Sequence, residues 1–238
     1  MMCGVALLNF WQGKNWNITI MYSKAGVATQ ILVSTLECDL LVDVGDGALR
    51  DLLELDYDFK RLKAIAITHG HFDHMGGLWT LLCFLRMIGR TDDLFLIMPR
   101  SCSEVEIVAK GFTGVYDKTI PFQLITKELS NKEKISIEKM KIQAFSVIHR
   151  GSNKVHGVGK RIPALGYSIS YNDQRIVISG DTGMCQSLKK LVKNADLAIL
   201  EASAKEKTAE ISEVHLSIEE AREIGKTAKG FILIHQWP

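Results

Sequence analysis

One short segment constrains the fold of this chain more than any other feature. Within the six residues 69–74 the sequence places three histidines and one aspartate, namely His69, His71, Asp73 and His74. The mostly apolar run Leu62–Ile67 precedes this cluster and is typical of a buried strand. Two glycines and the apolar run Leu78–Leu82 follow it and indicate the start of a helix. We therefore predict that the cluster lies on a loop between a strand end and a helix start, where α/β folds place their functional sites.

The residue types in this cluster indicate metal binding. Imidazole nitrogens and carboxylate oxygens are the ligands that zinc, manganese and iron accept in open catalytic sites. Four such groups this close together cannot all reach one tetrahedral ion, so the cluster predicts two adjacent metal ions that other parts of the chain complete. A solvated, histidine-rich loop with adventitious metal is the simpler alternative, but it would require neither Asp73 nor the flanking strand and helix.

Three later residues have the type and the setting of further ligands. They are His149, Asp181 and His235, which follow the strand-like segments 142–148, 175–179 and 231–234. Since the carboxyl ends of neighbouring strands meet at one edge of a sheet, these side chains could converge on the same rim as the cluster. An aspartate between two cations can bridge them, because its carboxylate has two oxygens.

A basic segment, Arg150–Arg161, follows the first of these ligands and contains the seventh histidine, His156. Its position in a glycine-containing loop predicts that His156 is solvated, and it is the weaker alternative to His149 as a ligand. The cationic side chains of this loop could bind a substrate phosphate or could simply be solvated, and the sequence favours neither alternative.

Bulk composition excludes several classes of protein. The chain has 238 residues, 47% of them hydrophobic and 24% charged, which predicts one globular domain spanning 1–238. Its net charge of +2 implies no strong field for nucleic acid, so such a partner would need a local basic patch. Five scattered cysteines without a CxxC pair indicate a reducing, cytoplasmic location. No apolar run has the length of a membrane span, and Met1–Trp11 lacks the basic start of a signal peptide.

The remaining periodicities predict short strands and helices in mixed order. Strands are predicted at 5–10, 18–22, 29–34, 40–44, 64–68, 94–98, 123–125, 134–137, 142–148, 167–171, 175–179, 197–200 and 231–234. Helices are predicted at 48–55, 78–88, 103–110, 187–193 and 218–226, and Asn172-Asp173 signals a hairpin turn. This order predicts an α/β fold in which two sheets pack face to face with helices outside, a four-layer αββα sandwich.

Taken together, these motifs resemble the metallo-β-lactamase superfamily, in which an HxHxDH motif is followed by a distant His, Asp and His. Within it the chain is most similar to the ribonuclease Z-like phosphodiesterase branch. Three segments carry that likeness: the strand-end glutamate in Leu200–Ser203, the His-x-Ser motif in His215–Ser217, and the Pro-x-x-Gly-Tyr strand entry in Pro163–Tyr167.

The resemblance implies a site and a mechanism. One metal would be held by His69, His71 and His149, the other by Asp73, His74 and His235, with Asp181 bridging them. A hydroxide between the metals would attack a phosphodiester, Asp73 would help to orient it, and His215, oriented by Glu201, would protonate the leaving oxygen. The implied cofactors are two divalent ions, zinc being the expected metal and manganese or iron the alternatives. Relatives of this kind are often homodimers.

Three departures from the branch weigh against folded tRNA as the substrate and favour a small phosphodiester or an RNA end. The segment between His149 and Asp181 is too short for the long tRNA-binding arm. Gln12-Gly13-Lys14 stands where a Gly-Thr-Gly loop is usual, and the printed chain ends at Pro238 without the usual tail.

Other functions remain open at this point. A thioester or lactone hydrolase of the same fold would not need the Glu201/His215 pair. In that case Glu201 could be a simple cap acceptor and His215 the neighbour of a helix start. A non-catalytic metal-binding protein is the alternative outside catalysis, although no ligand of the pattern is missing.

Overall fold

The computed structural model describes residues 9–152, 157–204 and 214–237. Two sheets form the centre of this part of the chain. The first has seven strands in the order β1-β2-β3-β4-β5-β6-β7. They are β1 (Asn9–Gln12), β2 (Trp16–Lys24), β3 (Ala28–Thr35), β4 (Asp39–Val42), β5 (Leu62–Ala66), β6 (Leu94–Pro99) and β7 (Leu124–Leu129). Pairing is antiparallel from β1 to β4 and parallel from β4 to β7.

The second sheet has six strands in the order β15-β14-β13-β12-β9-β8. They are β8 (Lys134–Ile137), β9 (Met140–Ser146), β12 (Leu165–Tyr171), β13 (Gln174–Ile178), β14 (Leu197–Glu201) and β15 (Phe231–Ile234). Only β13, β14 and β15 run parallel. All five residues of β14 are buried, as expected for a parallel strand covered on both faces.

The helices of the described residues lie on the outer faces of the two sheets. They are α1 (Ala48–Glu54), α2 (Phe72–Met75), α3 (Leu78–Met87), α4 (Ser103–Tyr116), α5 (Gln186–Val192) and α6 (Ile218–Gly225). One apolar core, with Ile31 and Ile169 among its members, fills the space between the sheets. A second core lies under α1, α3 and α4, and a third under α5 and α6. This arrangement confirms the predicted four-layer αββα sandwich. No helix in the described ranges is long and apolar enough to cross a bilayer.

Several predicted boundaries were wrong for identifiable reasons. The His/Asp cluster is not wholly a loop: α2 starts inside it, because the amides of His74 and Met75 both bond to the carbonyl of His71. Helix α4 continues six residues beyond the predicted Lys110, where buried Phe112 outweighs two glycines. The segment predicted as a basic loop contains two paired strands, β10 (Arg150–Ser152) and β11 (Val158–Arg161), which close as an antiparallel ribbon.

The ends of some strands also differ from the prediction. Strand β9 ends at Ser146, so His149 lies three residues beyond it and not directly at its end. The first strand runs to Gln12, past the predicted Phe10, while the predicted residues 5–8 lie outside the described part. The hairpin at Asn172-Asp173 is confirmed, since Tyr171 pairs with Gln174 and Asn172 takes a positive φ of 51°.

The two sheets meet at the edge that carries the cluster. His69 and Ala164 form an isolated bridge, and the amide of Leu165 donates to the carbonyl of Thr68 at 2.9 Å. Gly180 sits against this seam with φ +60°, and a Cβ there would lie 2.9 Å from the Leu165 carbonyl oxygen and from Thr68 Cβ. Glycine is therefore required at this position, and it brings the next residue, Asp181, up to the cluster.

Candidate metal centre

Three histidines form the first group of potential ligands. The ligand atoms of His69, His71 and His149 all lie within 4.8 Å of one another. His71 contributes Nδ1, which is 3.1 Å from His149 Nε2. His69 follows strand β5 by three residues, and His149 comes from the loop after β9, so the group joins the two sheets.

A second group combines one carboxylate with two imidazoles. Asp73, His74 and His235 also have ligand atoms within 4.8 Å of one another. His235 Nε2 is 3.1 Å from Asp73 Oδ2 and 3.3 Å from His74 Nε2. Helix α2 presents Asp73 and His74, whereas His235 directly follows β15 with a positive φ of 54°.

Asp181 lies between the two groups. Its Oδ1 is 3.3 Å from His74 Nε2 and 3.4 Å from His235 Nδ1. Its Oδ2 is 3.9 Å from both His69 Nε2 and His149 Nε2. One oxygen therefore faces each group, which is the geometry of a carboxylate that bridges two cations.

Buried atoms without partners show that this donor set fits metal ions. His69 Nε2, Asp181 Oδ1 and His235 Nδ1 have no hydrogen-bond partner within the described residues, although each is inaccessible to solvent. Leaving buried polar atoms unpaired costs free energy, so their convergence needs a ligand. Nitrogen and oxygen donors at this spacing fit divalent cations such as zinc, manganese or iron.

The protonation states of the ligands also suit cations. Burial lowers the pKa of His69 well below its usual value, that of His149 to about 4, and that of His71 as well. Burial alone would raise the pKa of Asp181, but the imidazoles of His235 and His74 hold it well below the usual range. Neutral imidazoles and an ionised carboxylate are the forms that coordinate metals.

His74 is the exception in the metal-free molecule. Burial opposes its charge, but the carboxylates of Asp181 and Asp43 raise its pKa well above the usual value. A cation bound at Nε2 would replace that proton and meet the same two carboxylates. Metal binding at this group is therefore expected to release a proton.

Residues outside the ligand set hold the imidazoles in one tautomer. Asp43 Oδ2 accepts from His74 Nδ1 at 2.7 Å and from Thr68 Oγ1 at 2.9 Å, while its Oδ1 accepts from the Thr68 amide at 2.7 Å. Thr68 Oγ1 is 3.1 Å from His69 Nδ1, and the carbonyl of Val214 is 3.0 Å from His149 Nδ1. In each of these histidines Nδ1 is occupied, so Nε2 faces the cluster.

Sequence reasoning did not identify Asp43 or Thr68 as functional. Asp43 takes a positive φ of 59° directly after β4, which aims its carboxylate at the end of neighbouring β5. A strand-end aspartate followed by Val44 and Gly45 was the available signal. Gly26 was also missed: its amide donates to Asp73 Oδ2 at 3.0 Å and holds that carboxylate in place.

The pair His215 and Glu201 lies beside this centre. His215 Nδ1 is 3.1 Å from Glu201 Oε1 and 3.9 Å from Asp181 Oδ2, and its ring stacks on His235 at a centroid distance of 5.9 Å. Its side chain keeps 25% exposure, whereas Glu201 is fully buried. Burial lowers the pKa of His215, but the Glu201 carboxylate outweighs it and raises that pKa to about 9.

Glu201 also accepts hydrogen bonds from groups other than His215. Its Oε1 also accepts from the amides of Thr182 and Leu216, and its Oε2 accepts from the amide and hydroxyl of Ser203. It therefore ties the loop after Asp181 to the segment that carries His215. The Glu201 side chain therefore accepts from backbone amides, as the cap-acceptor interpretation predicts, and also contacts His215.

His156, the alternative ligand, lies outside the described residues. His149 occupies the place in the ligand cluster for which both histidines were considered.

Comparison with known proteins agrees with this fold. A family model described as a beta-lactamase superfamily domain matches residues 39–235. Ribonuclease Z of Pyrococcus abyssi is 27% identical over 84% of this chain and 77% of its own length. Ribonuclease Z of a Bradyrhizobium species is 28% identical over 69% of this chain and 67% of its own length.

Solved structures show the same fold. The short form of human tRNase Z superposes with a TM-score of 0.75 at 22% identity, over 92% of each chain. The metallo-beta-lactamase fold protein YhfI from Bacillus subtilis superposes with a TM-score of 0.74 at 19% identity, over 94% of this chain and 88% of that one. The chain therefore belongs to the metallo-β-lactamase superfamily, in its ribonuclease Z-like branch of metal-dependent hydrolases.

Proposed function

We propose that this protein is a binuclear, metal-dependent phosphodiesterase. The observation that carries the proposal is the pair of ligand groups that share Asp181, with one carboxylate oxygen toward each. His69, His71 and His149 would hold one ion, Asp73, His74 and His235 the other, and Asp181 both. Zinc is the proposed metal because imidazole dominates the donor set and carboxylates complete it.

Two divalent ions held there supply Lewis acidity toward phosphoryl oxygens and offset part of the charge of a phosphodiester. The surrounding residues hold the ligands of this centre in place. Asp43 and Thr68 fix the imidazoles, and Gly26 fixes the Asp73 carboxylate. We assign to Asp73 a second role, the orientation of the attacking water, because its carboxylate borders the second ligand group.

His215 is the proposed proton donor to the leaving oxygen. Its Nδ1 is held by Glu201, so Nε2 is the nitrogen that can carry a proton to substrate. The partial exposure of its side chain, beside a centre in which every ligand except the half-buried His71 is buried, gives substrate access to it. General acids placed in this way contribute about 10²- to 10⁴-fold to a rate.

RNA or another phosphodiester is the proposed substrate class, since the curated relatives are named ribonuclease Z. The short stretch between His149 and Asp181 favours a small or single-stranded substrate over folded tRNA. We also propose a reducing, cytoplasmic compartment, supported by four free cysteines among the described residues. A homodimer stays a prediction that analytical ultracentrifugation would test.

The first experiment combines metal content with turnover. Mass spectrometry counts bound metals while hydrolysis of bis(p-nitrophenyl) phosphate is followed with and without added zinc or manganese. We expect about two metals per chain and metal-dependent turnover, as in two-metal hydrolases. Bound metal with hydrolysis of lactones or thioesters but of no diester would contradict the proposal and favour the alternative hydrolase. A chain that binds no metal would refute both.

The role of His215 has a sharper test, because p-nitrophenolate leaves without a proton and a ribose oxygen does not. We expect His215→Ala to keep its metals and to lose about 10²- to 10⁴-fold in kcat on an RNA linkage. On bis(p-nitrophenyl) phosphate the loss should be much smaller. Equal losses on both substrates would show that His215 acts on the metal centre or the fold and is not the acid. Asp181→Ala is the contrasting variant, in which we expect metal and both activities to disappear together.

A further inference from the structure

A groove of about 360 Å³ lies on the outer face of the second sheet, between the edge strand β8, its neighbour β9 and helix α5. Three lysines line it: Lys132 and Lys134 from the β8 side and Lys190 from α5. Phe145 and Leu191 form its apolar floor, and no acidic side chain is among its lining residues. The groove is separate from the ligand cluster and takes no part in holding the metals.

The three ammonium groups lack carboxylate partners among the described residues. All three lysines are exposed, and none of them forms an ion pair there. Lysines elsewhere in the chain do pair, such as Lys139 with Glu37 at 2.6 Å and Lys229 with Asp196 at 2.8 Å. Like charges gathered around one concavity repel each other and raise the local concentration of anions.

The groove lies next to the rim that carries the metal centre. Strand β9 is antiparallel to β12, which is antiparallel to β13, so β9 and β13 end at the same edge. Ser187, which lines the groove at the start of α5, donates to the carbonyl of Ser146 at 2.6 Å and so links α5 to the end of β9. Ser146 precedes the ligand His149 by three residues, which span at most about 11 Å of chain.

The charge of this region differs from that of the whole chain. Residues 127–161 contain nine lysines and arginines and three glutamates, a net charge of +6, whereas the complete chain carries +2. This segment contains the end of β7, strands β8 and β9, the loop that carries His149 and the β10–β11 ribbon. The remainder of the chain is net acidic, so the excess of cations lies in the segment that carries His149 and most of the residues that line the groove, a charge distribution expected of a protein with a polyanion partner.

We propose that this groove binds the sugar-phosphate backbone of a single-stranded RNA whose scissile linkage lies at the metal centre. The inference rests on the proposed phosphodiesterase function and adds a binding site to it. Three lysines can contact about three successive phosphates, which is binding through charge without reading of sequence. A small phosphodiester that does not extend beyond the metal centre would not contact the groove, so its affinity would not depend on these lysines.

The test is the binding of a phosphorothioate RNA of about 12 nucleotides, a length within the usual range of single-strand sites. This RNA keeps one charge per linkage and resists cleavage, so fluorescence anisotropy with zinc-loaded protein reports binding alone. The variant is the triple Lys132→Glu/Lys134→Glu/Lys190→Glu. We expect at least a tenfold loss of affinity at low salt. The slope of log K against log salt should fall by about 2, which is about 0.7 for each of three phosphate contacts.

A matched control carries the same change of charge at the other end of the molecule. Lys60, Lys118 and Lys226 are exposed and precede β5, β7 and β15, so they lie at the amino-terminal ends of parallel strands. The triple glutamate variant at these positions should keep the wild-type slope. The variant with glutamine at all three groove positions should also weaken binding. Because glutamine adds no negative charge, that result would exclude repulsion by new carboxylates as the cause.

Three results would overturn the proposal. Equal losses in the groove and control variants would mean that only net charge matters, and no loss in either would mean that the groove is not used. Displacement of the RNA by inorganic phosphate at matched ionic strength would make the groove a simple anion site. Hydrolysis of bis(p-nitrophenyl) phosphate by the wild-type protein tests the proposed function separately, because anisotropy does not depend on turnover.

Discussion

Replacement of Asp43 by asparagine should weaken one metal site without unfolding the protein. The Asp43 carboxylate is 1% exposed and accepts three hydrogen bonds, two from Thr68 and one from His74 Nδ1. A carboxylate can only accept, so once a metal displaces the proton on Nε2, Asp43 keeps the remaining His74 proton on Nδ1 and leaves the Nε2 lone pair for the metal. An asparagine has the same shape, but an NH2 group that only donates replaces one of the two accepting oxygens.

Both orientations of that amide are unfavourable. With its NH2 group toward His74 it stabilises the tautomer protonated on Nε2, which cannot bind a metal. With its NH2 group toward Thr68 it sets a donor against the Thr68 amide, which now donates to Oδ1 at 2.7 Å. Loss of such a supporting hydrogen bond typically lowers metal affinity about 10- to 100-fold. This corresponds to about 1.4 to 2.7 kcal/mol at the Asp73–His74–His235 group.

The assay is a zinc titration against a chromophoric chelator, with metal content by mass spectrometry and the melting temperature recorded in parallel. Asp39→Asn is the matched control, since Asp39 is equally buried at the other end of β4 but pairs with Arg61 at 2.9 Å. We expect the control to lose stability and keep zinc affinity, and Asp43→Asn to lose affinity for one zinc of two. Wild-type affinity at both sites in Asp43→Asn would refute the tautomer argument.

Two further predictions concern stability. Complete removal of metal by EDTA, verified by mass spectrometry, should lower the melting temperature. If each site is filled at about 100 times its Kd, the loss is about 2.7 kcal/mol per site, or about 5 to 10 °C per site in a chain of this size; an unchanged melting temperature would contradict the metal-binding assignment. Gly45→Ala should destabilise the fold by about 1 to 3 kcal/mol in urea unfolding, because its Cβ would lie 2.6 Å from the Asp73 carbonyl oxygen and 2.7 Å from the Thr29 amide nitrogen. Gly114→Ala, which meets nothing within 4 Å in helix α4, is the control and should be neutral or slightly stabilising; equal effects of the two substitutions would show that close packing at Gly45 is not the cause.

The sandwich fold could be predicted because its signals are local. Strands such as β4, β5 and β14 are short apolar runs with turn residues at their ends, and parallel strands buried on both faces must have that composition. Errors arose where tertiary contact overrides local preference. Helix α4 runs through Gly111 and Gly114 because Phe112 is buried against the first sheet.

The predicted ligands were found for a similar reason. A histidine or aspartate within three residues of the end of an apolar strand can be recognised in the sequence, and strands that run in the same direction carry such residues to one edge of the sheet. The structure places all seven predicted ligands in one connected cluster. Their roles as ligands remain predictions for the zinc titration and the Asp181→Ala variant.

By itself, then, the sequence determined the layers of the fold and the residue types of the metal centre, since both follow from patterns over a few neighbouring residues. Tertiary structure alone decided how those residues act. The φ of Asp43 selects the tautomer of His74, Gly180 sets the depth of Asp181, and Lys190 reaches Lys132 from a distant part of the chain. These arrangements depend on distances between segments far apart in sequence, and no local pattern encodes such distances.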